Sequence, residues 1–167
     1  WLLFVNGLFG VLAAKAQTQT AFDSQDSAAV YARAQTWLNE AIGQIDSKAL
    51  PLRMEVTVGE LDRKLRLAPC QEVEPYLPPG TRLWGKTRLG LRCLRGEVKW
   101  NVFLPITVKA FGPAWAIKGG VAQGSLLSGA DAMQVEADWA ELNSPVVANL
   151  PDWVGQTAAR ALGTGQV

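Results

Sequence analysis

Hydrophobic residues recur at every third or fourth position in one early segment of the chain. Such spacing places them on one side of an α-helix, so the pattern predicts an amphipathic helix over residues 27–45. Asp23, Ser24 and Asp26 precede it and offer side-chain oxygens for its N-terminus. We expect the stripe to pack on the protein's own sheet; the alternative is a face for a partner. The stripe consists of Val30, Ala34, Trp37, Leu38, Ala41 and Ile45.

After Pro51 the hydrophobic period changes to two, which is typical of strands with one buried face. The alternation predicts a strand over 54–58, a turn over 59–63 and a second strand at Leu65 and Leu67. These two strands are expected to form a hairpin.

Alternation returns over residues 83–93 and 98–109, where we predict two longer strands with a bend or bulge at Pro105. Gly112 and Pro113 predict a boundary, followed by a short strand over 114–117. A helix followed by antiparallel strands indicates an α+β fold. Two glycine-rich stretches, 114–136 and 153–165, resemble each other and suggest an imperfect internal repeat.

The first 14 or so residues are almost wholly apolar. This is short for a bilayer span, which needs about 20 residues. Ala14, Lys15 and Ala16 match the small-x-small cleavage pattern, so we interpret residues 1–16 as part of a signal peptide cut before Gln17. A buried first helix or an uncleaved anchor are the alternatives.

Export changes the interpretation of the two cysteines, Cys70 and Cys93. Outside the cytoplasm such a pair is commonly oxidised, so we predict a disulfide. The chain-entropy model assigns a loop of this length about 3 kcal/mol of stabilisation. Two separate buried thiols are the alternative.

Composition excludes several classes of chemistry. The 167 residues include no histidine, and their formal net charge is +1. Histidine-based catalysis and His-ligated metal sites are therefore excluded, which leaves carboxylate or lysine chemistry or no chemistry at all. Of these we expect the last, with no catalytic residue, metal or cofactor. The charge balance also indicates no nucleic-acid partner. An acidic run remains as a candidate for cation binding or acid–base work, with a solvated linker as the preferred interpretation: Asp131, Glu136, Asp138 and Glu141.

Seven tryptophans suggest a binding surface, because indole rings stack on sugars and are enriched at interfaces. Trp37 and Trp100 fall on predicted core faces, and Trp1 lies in the predicted signal segment. Candidate partner-binding residues are therefore Trp84, Trp115, Trp139 and Trp153. A peptidoglycan- or glycan-binding module is the alternative function that they suggest.

The chain resembles the flagellar basal-body P-ring formation (FlgA) family. The resemblance is carried by the block from Cys70 to Cys93 with its proline-rich insert, by residues 100–106, and by the glycine-rich stretches with Gly124 and Asp131. It implies a non-enzymatic periplasmic chaperone that binds P-ring protein subunits near the peptidoglycan, with no membrane contact after signal cleavage. Open sheet edges would suit that task by pairing with extended segments.

The resemblance also implies a domain organisation. Residues 17–111 would form an N-terminal α+β region with a disulfide-tied hairpin. Residues 112–167 would form a mostly-β SAF (β-clip) domain that is incomplete at its C-terminus, so that the chain would be a fragment truncated at both ends.

Overall fold

The computed structural model describes residues 24–45, 52–62 and 64–167, with side chains from residue 27 onward. The helix prediction and the α+β class are confirmed. Residues 1–16, the predicted signal peptide, lie outside the described residues. The elements are one helix, α1 (Ser24–Gly43), five strands, β1 (Arg53–Val58), β2 (Glu72–Tyr76), β3 (Gly85–Arg95), β4 (Asn101–Ile117) and β5 (Ala132–Asp138), and a short 3₁₀ turn (Leu150–Asp152).

All five strands form one antiparallel sheet built around the long strand β4. The order is β1-β4-β3-β2, and β5 pairs with the C-terminal half of β4. After β5 the chain continues along β4, where the Trp139 N–H donates to the Ala110 carbonyl, and then reaches the beginning of β3, where Ala140 lies beside Gly85. The predicted hairpin partner of β1 at Leu65 and Leu67 is wrong: residues 64–71 contain no strand. β1 instead pairs with β4 through six residue pairs, a longer ladder than the short 65–67 segment could offer.

Helix α1 covers one face of this sheet and forms the main core with it. Ala34 and Leu38 are fully buried on the helix, opposite Leu89, Leu104 and Val108 of the sheet. Trp37 and Trp100 pack against the same core, as predicted. The predicted stripe of α1 therefore serves internal packing, with Val30, Ala34 and Leu38 as its buried members.

Pro105 lies inside β4 without the predicted bend or bulge. The register of β4 with β3 runs past it unbroken, whereas the pairing of β4 with β1 ends one residue away, at Ile106. Its carbonyl accepts from the Gly59 N–H at 2.8 Å, so its nitrogen points to the same edge, just beyond the end of β1. The missing N–H therefore costs no ladder bond, and the strand needs no distortion.

Pro113 is accommodated in a similar way. β4 is continuous through Gly112 and Pro113, so the predicted interruption of the strand there is wrong. The Ile117 N–H donates to the Gln166 carbonyl, on the same edge of β4 that pairs with β1 at residues 106–111. Pro113, like Ile117, is an odd-numbered residue, so its nitrogen faces this edge too. It lies past Phe111, the partner of Arg53 at the start of β1, where no β1 residue is opposite it.

The two glycine-rich stretches pair with each other in antiparallel fashion. Val121 and Leu162 exchange backbone hydrogen bonds at 3.0 and 2.9 Å. Val121 and Leu162 are each followed by a tight turn. The Ser125 N–H donates to the Ala122 carbonyl in one turn, and the Gln166 N–H donates to the Gly163 carbonyl in the other. The third turn residue is Gly124 (φ +82°) or Gly165 (φ +77°), the left-handed conformation that a type II turn requires. This equivalence supports the internal repeat.

Candidate partner-binding surface

A disulfide joins Cys70 to Cys93, with 5.9 Å between their Cα atoms. Cys93 is buried within β3, whereas Cys70 lies just before β2. The bond therefore fastens the proline-rich segment, which contains β2, to the sheet. The disulfide predicted from the sequence is confirmed.

Two of the candidate tryptophans form the centre of a second small core. The rings of Trp115 and Trp153 are 5.5 Å apart and tilted, and Trp153 is only 8% exposed. The Trp115 Nε1–H donates to the Ala148 carbonyl at 3.0 Å. Val121 and Leu162, the paired residues of the repeat, pack against this core, so these indoles hold the two stretches together.

The other two candidates differ in exposure. Trp139 is half-buried beside Gly112, and its Nε1–H finds no acceptor among the described residues. Trp84 precedes β3 and is 40% exposed. Of the four candidate partner-binding tryptophans, Trp84 thus presents the most indole surface to solvent.

The acidic run does not form a shared site, because its members have separate local partners. Asp131 accepts hydrogen bonds from the Ser128 hydroxyl and N–H, both at 2.7 Å, and these hold the pKa of its carboxyl below the usual value. Asp138 accepts from the Ala110 and Ala140 N–H groups, and Glu136 binds Arg53. No group of three potential metal ligands occurs in the described part of the chain.

The face of the sheet opposite α1 carries a feature that sequence reasoning missed. We call it the outer face; it is formed by odd-numbered residues of β1 and β4 and even-numbered residues of β2 and β3. Three guanidinium groups lie over aromatic rings there. The ring-to-guanidinium distances are 4.5 Å for Arg88 on Phe103, 5.1 Å for Arg92 on Tyr76 and 4.5 Å for Arg53 on Phe111.

A signal for this surface was present in the sequence. Phe103 alternates with the buried residues of β4 and therefore falls on the polar parity of the strand, where it is 45% exposed. An aromatic ring on the solvent side of a strand can be covered by a cationic side chain from a neighbouring strand. Arg88 is that side chain, one strand away on β3.

Charge is distributed unevenly over the outer face. Toward β2, Arg92 binds Glu74, and this hydrogen bond lowers the pKa of the Glu74 carboxyl. At the opposite end, Arg53 binds Glu55 and Glu136, which together raise the pKa of its guanidinium.

The middle of this face is different. Lys86 and Arg88 form no ion pair with any described residue and lie beside a shallow depression of about 420 Å³ that Thr81, Pro105 and Thr107 also line. The centre therefore carries two cations that no acidic side chain of the described residues neutralises.

A second concavity, of about 710 Å³, lies between α1 and β2. Trp37 and Arg33 of the helix line one side, and Glu74 and Pro75 of the edge strand line the other.

None of the helices in the described ranges combines the length and the apolar character that crossing a bilayer requires.

Comparison with known proteins identifies the family. The model of the FlgA N-terminal domain matches residues 30–110, from within α1 to within β4. Residues 30–110 belong to the FlgA N-terminal domain family. The matched residues comprise α1 from Val30 onward, β1 to β3, the disulfide and the first part of β4. No curated protein matches the chain.

The solved structures that match the chain include FlgA proteins from two organisms. Salmonella FlgA in its closed and open forms has 21% sequence identity and a TM-score of 0.48; the match covers 81% of this chain and 63% and 59% of the Salmonella chains. Flagellar protein FlgA from Thermotoga maritima MSB8 has 17% identity and a TM-score of 0.50, with 80% of this chain and 49% of the Thermotoga chain covered. The chain therefore spans less than two thirds of the length of these relatives.

Proposed function

We propose that this FlgA-family chain is a periplasmic chaperone that assists assembly of the flagellar P-ring by binding P-ring protein subunits, without catalysis. The observation that carries the proposal is the FlgA N-terminal domain over residues 30–110. The Cys70–Cys93 disulfide lies inside this domain and supports a location where thiols are oxidised. Family membership supports the absence of a catalytic role.

Export and domain division complete the proposal. Residues 1–16 are part of a signal peptide that is removed before Gln17, and the mature chain acts in the periplasm. Residues 17–111 form the N-terminal region, and residues 112–167 belong to an SAF (β-clip) domain. The pairing of the two glycine-rich stretches around Trp115 and Trp153 supports a separate packing unit in the second part.

The decisive experiment combines binding and physiology. The tagged chain is used to capture proteins from a periplasmic extract, and its gene is deleted in the host. We expect enrichment of the P-ring protein and loss of motility, because the proposal makes this chain necessary for P-ring assembly. Normal motility together with no captured P-ring protein would refute the proposal.

Binding of peptidoglycan is the second candidate, favoured by the exposed indole of Trp84. Exposed indole rings can stack on the faces of sugar rings. Cosedimentation with purified peptidoglycan tests it. Binding that is lost in Trp84→Ala and retained in Trp37→Phe, a change at a residue packed on the core, would support glycan recognition. No cosedimentation would exclude it.

A further inference from the structure

The centre of the outer face combines positive charge, an exposed aromatic ring and small polar groups. Lys86 lies opposite Thr107 and Arg88 lies opposite Pro105 in the β3–β4 register. Phe103 carries the Arg88 guanidinium at 4.5 Å from its ring centroid. We call these five residues the cationic patch.

Stacking on Phe103 restricts where the Arg88 guanidinium can lie but leaves its hydrogen-bonding edge unoccupied by any described carboxylate. A guanidinium held in this way loses less entropy when it binds a carboxylate, and its fork of N–H donors matches the two oxygens. The Thr107 hydroxyl, which also lines the depression, can add a donor. The chemistry favours an anionic occupant.

The surroundings of the cationic patch narrow the choice of occupant. On the β2 side, Arg92 is neutralised by Glu74, and Arg95 by Glu72. The exposed surface of Phe103 and of Pro105 adds apolar area next to the two cations. A carboxylate-bearing peptide with neighbouring apolar side chains satisfies both features, whereas a polymer of uniform charge would leave the apolar area unused.

Addition of a partner strand at the edge of β2 is less favourable. Cys93 donates its N–H to Trp100, so the backbone groups of the odd residues in β3 face β4 and those of its even residues face β2. Glu74 and Tyr76 therefore bond to β3, and Pro75 turns toward the open edge. Because proline has no N–H, an added strand would lose a donor there.

We propose that the cationic patch docks an acidic segment of the P-ring subunit, with segment carboxylates bound by Lys86 and Arg88 and apolar side chains packed on Phe103 and Pro105. This inference rests on the proposed function. It adds the surface and the chemistry of the segment that the surface binds.

The test is a pair of charge reversals in the complete chain. Lys86→Glu combined with Arg88→Glu is compared with Lys64→Glu combined with Arg66→Glu, which changes the same residue types at the same spacing on exposed positions outside the sheet. Affinity for purified P-ring protein is measured by calorimetry at 50 and 300 mM NaCl. Circular dichroism checks that every variant is folded.

We expect the patch variant to bind about tenfold or more weakly, and the control variant to bind within about twofold of the original chain. Wild-type affinity should fall with salt, because exposed charges are screened over about 10 Å at 0.1 M ionic strength, and the patch variant should lose this salt dependence. Equal affinity of both variants, or salt-independent binding by the wild type, would overturn the inference while leaving the proposed function standing.

A second arm separates the two proposals. A hexaglutamate peptide with two flanking leucines is titrated into the same three proteins, with a hexalysine analogue as control. Selective peptide binding that is lost in the patch variant, without binding of the P-ring protein, would refute the proposed function and retain acidic recognition. Patch-dependent cosedimentation with peptidoglycan, but no peptide or P-ring binding, would show that the patch recognises glycan and overturn the docking of a protein segment.

Discussion

The disulfide should contribute a large part of the stability of the N-terminal domain. Replacing Cys70 and Cys93 by alanine removes a cross-link between residues 23 positions apart. In the chain-entropy model, closing a loop of this length lowers the entropy of the unfolded chain by an amount equivalent to about 3.4 kcal/mol at 25 °C. We expect the double variant to lose about 3 kcal/mol in free energy of unfolding.

The measurements are urea unfolding and thermal unfolding, both monitored by tryptophan fluorescence and circular dichroism. In thermal unfolding, the midpoint temperature should fall by roughly 6–12 °C for a chain of this size. The variant should also unfold with a larger dependence on urea, because its unfolded state is no longer held compact by the cross-link. Reductant should destabilise the wild type by a similar amount and leave the double variant unchanged, which serves as the internal control.

A loss of less than about 1 kcal/mol would contradict this reasoning. It would mean that the segment before β2 is already held by its other contacts, among them the Gln71 N–H bond to the Arg95 carbonyl at 2.8 Å and the Trp100 Nε1–H bond to Ala68 at 2.9 Å. Cys70→Ala and Cys93→Ala each remove the cross-link, so a larger loss of stability in Cys93→Ala would measure local packing around the buried partner.

Three further predictions concern single residues. Gly124→Ala should lower the stability of the second core by about 1 kcal/mol, because φ is +82° there, whereas Gly119→Ala, with open space and no positive φ, should be neutral in the same thermal melts. Gly90→Ala should destabilise by about 1–3 kcal/mol, since a Cβ would lie 2.3 Å from the Tyr76 ring; if Tyr76→Ala does not relieve that cost, the contact is not its cause. The hydrogen bonds from Ser128 lower the pKa of the Asp131 carboxyl in the folded protein. Their contribution to the free energy of unfolding is therefore complete above the unfolded pKa of about 3.9 and is lost as pH falls through the lower native value. Asp131→Asn should therefore flatten the melting temperature between pH 5 and 2 relative to the wild type, and parallel curves would contradict the assignment.

The sequence was sufficient for features that depend on local periodicity. The helical stripe around Ala34 and Leu38 and the alternation around Val56 are patterns within one element, and burial of one face follows directly from them. The disulfide was predictable for a different reason. The chain contains only two cysteines, and the interpretation of residues 1–16 as an export signal favoured their oxidation.

Strand partners were less predictable, because pairing depends on residues distant in sequence. β1 could pair with the nearby segment at Leu65 or with β4, about 50 positions away, and the alternation within β1 is compatible with both. The outer face was missed for a related reason. Arg88 and Phe103 belong to different strands, and neither residue alone distinguishes a solvated face from a stacked cation–aromatic pair.

Prolines misled the sequence interpretation in a physically informative way. In a strand, proline costs a hydrogen bond only if its nitrogen faces a neighbouring strand. Pro105 and Pro113 of β4 face positions past the two ends of β1, and Pro75 of β2 faces the open edge of the sheet. The same orientation that makes these residues harmless to folding also removes donors from the exposed edges. Recognition of an extended partner by main-chain pairing is therefore weakened at these edges, and the side chains of the outer face are left as the surface better suited to bind it.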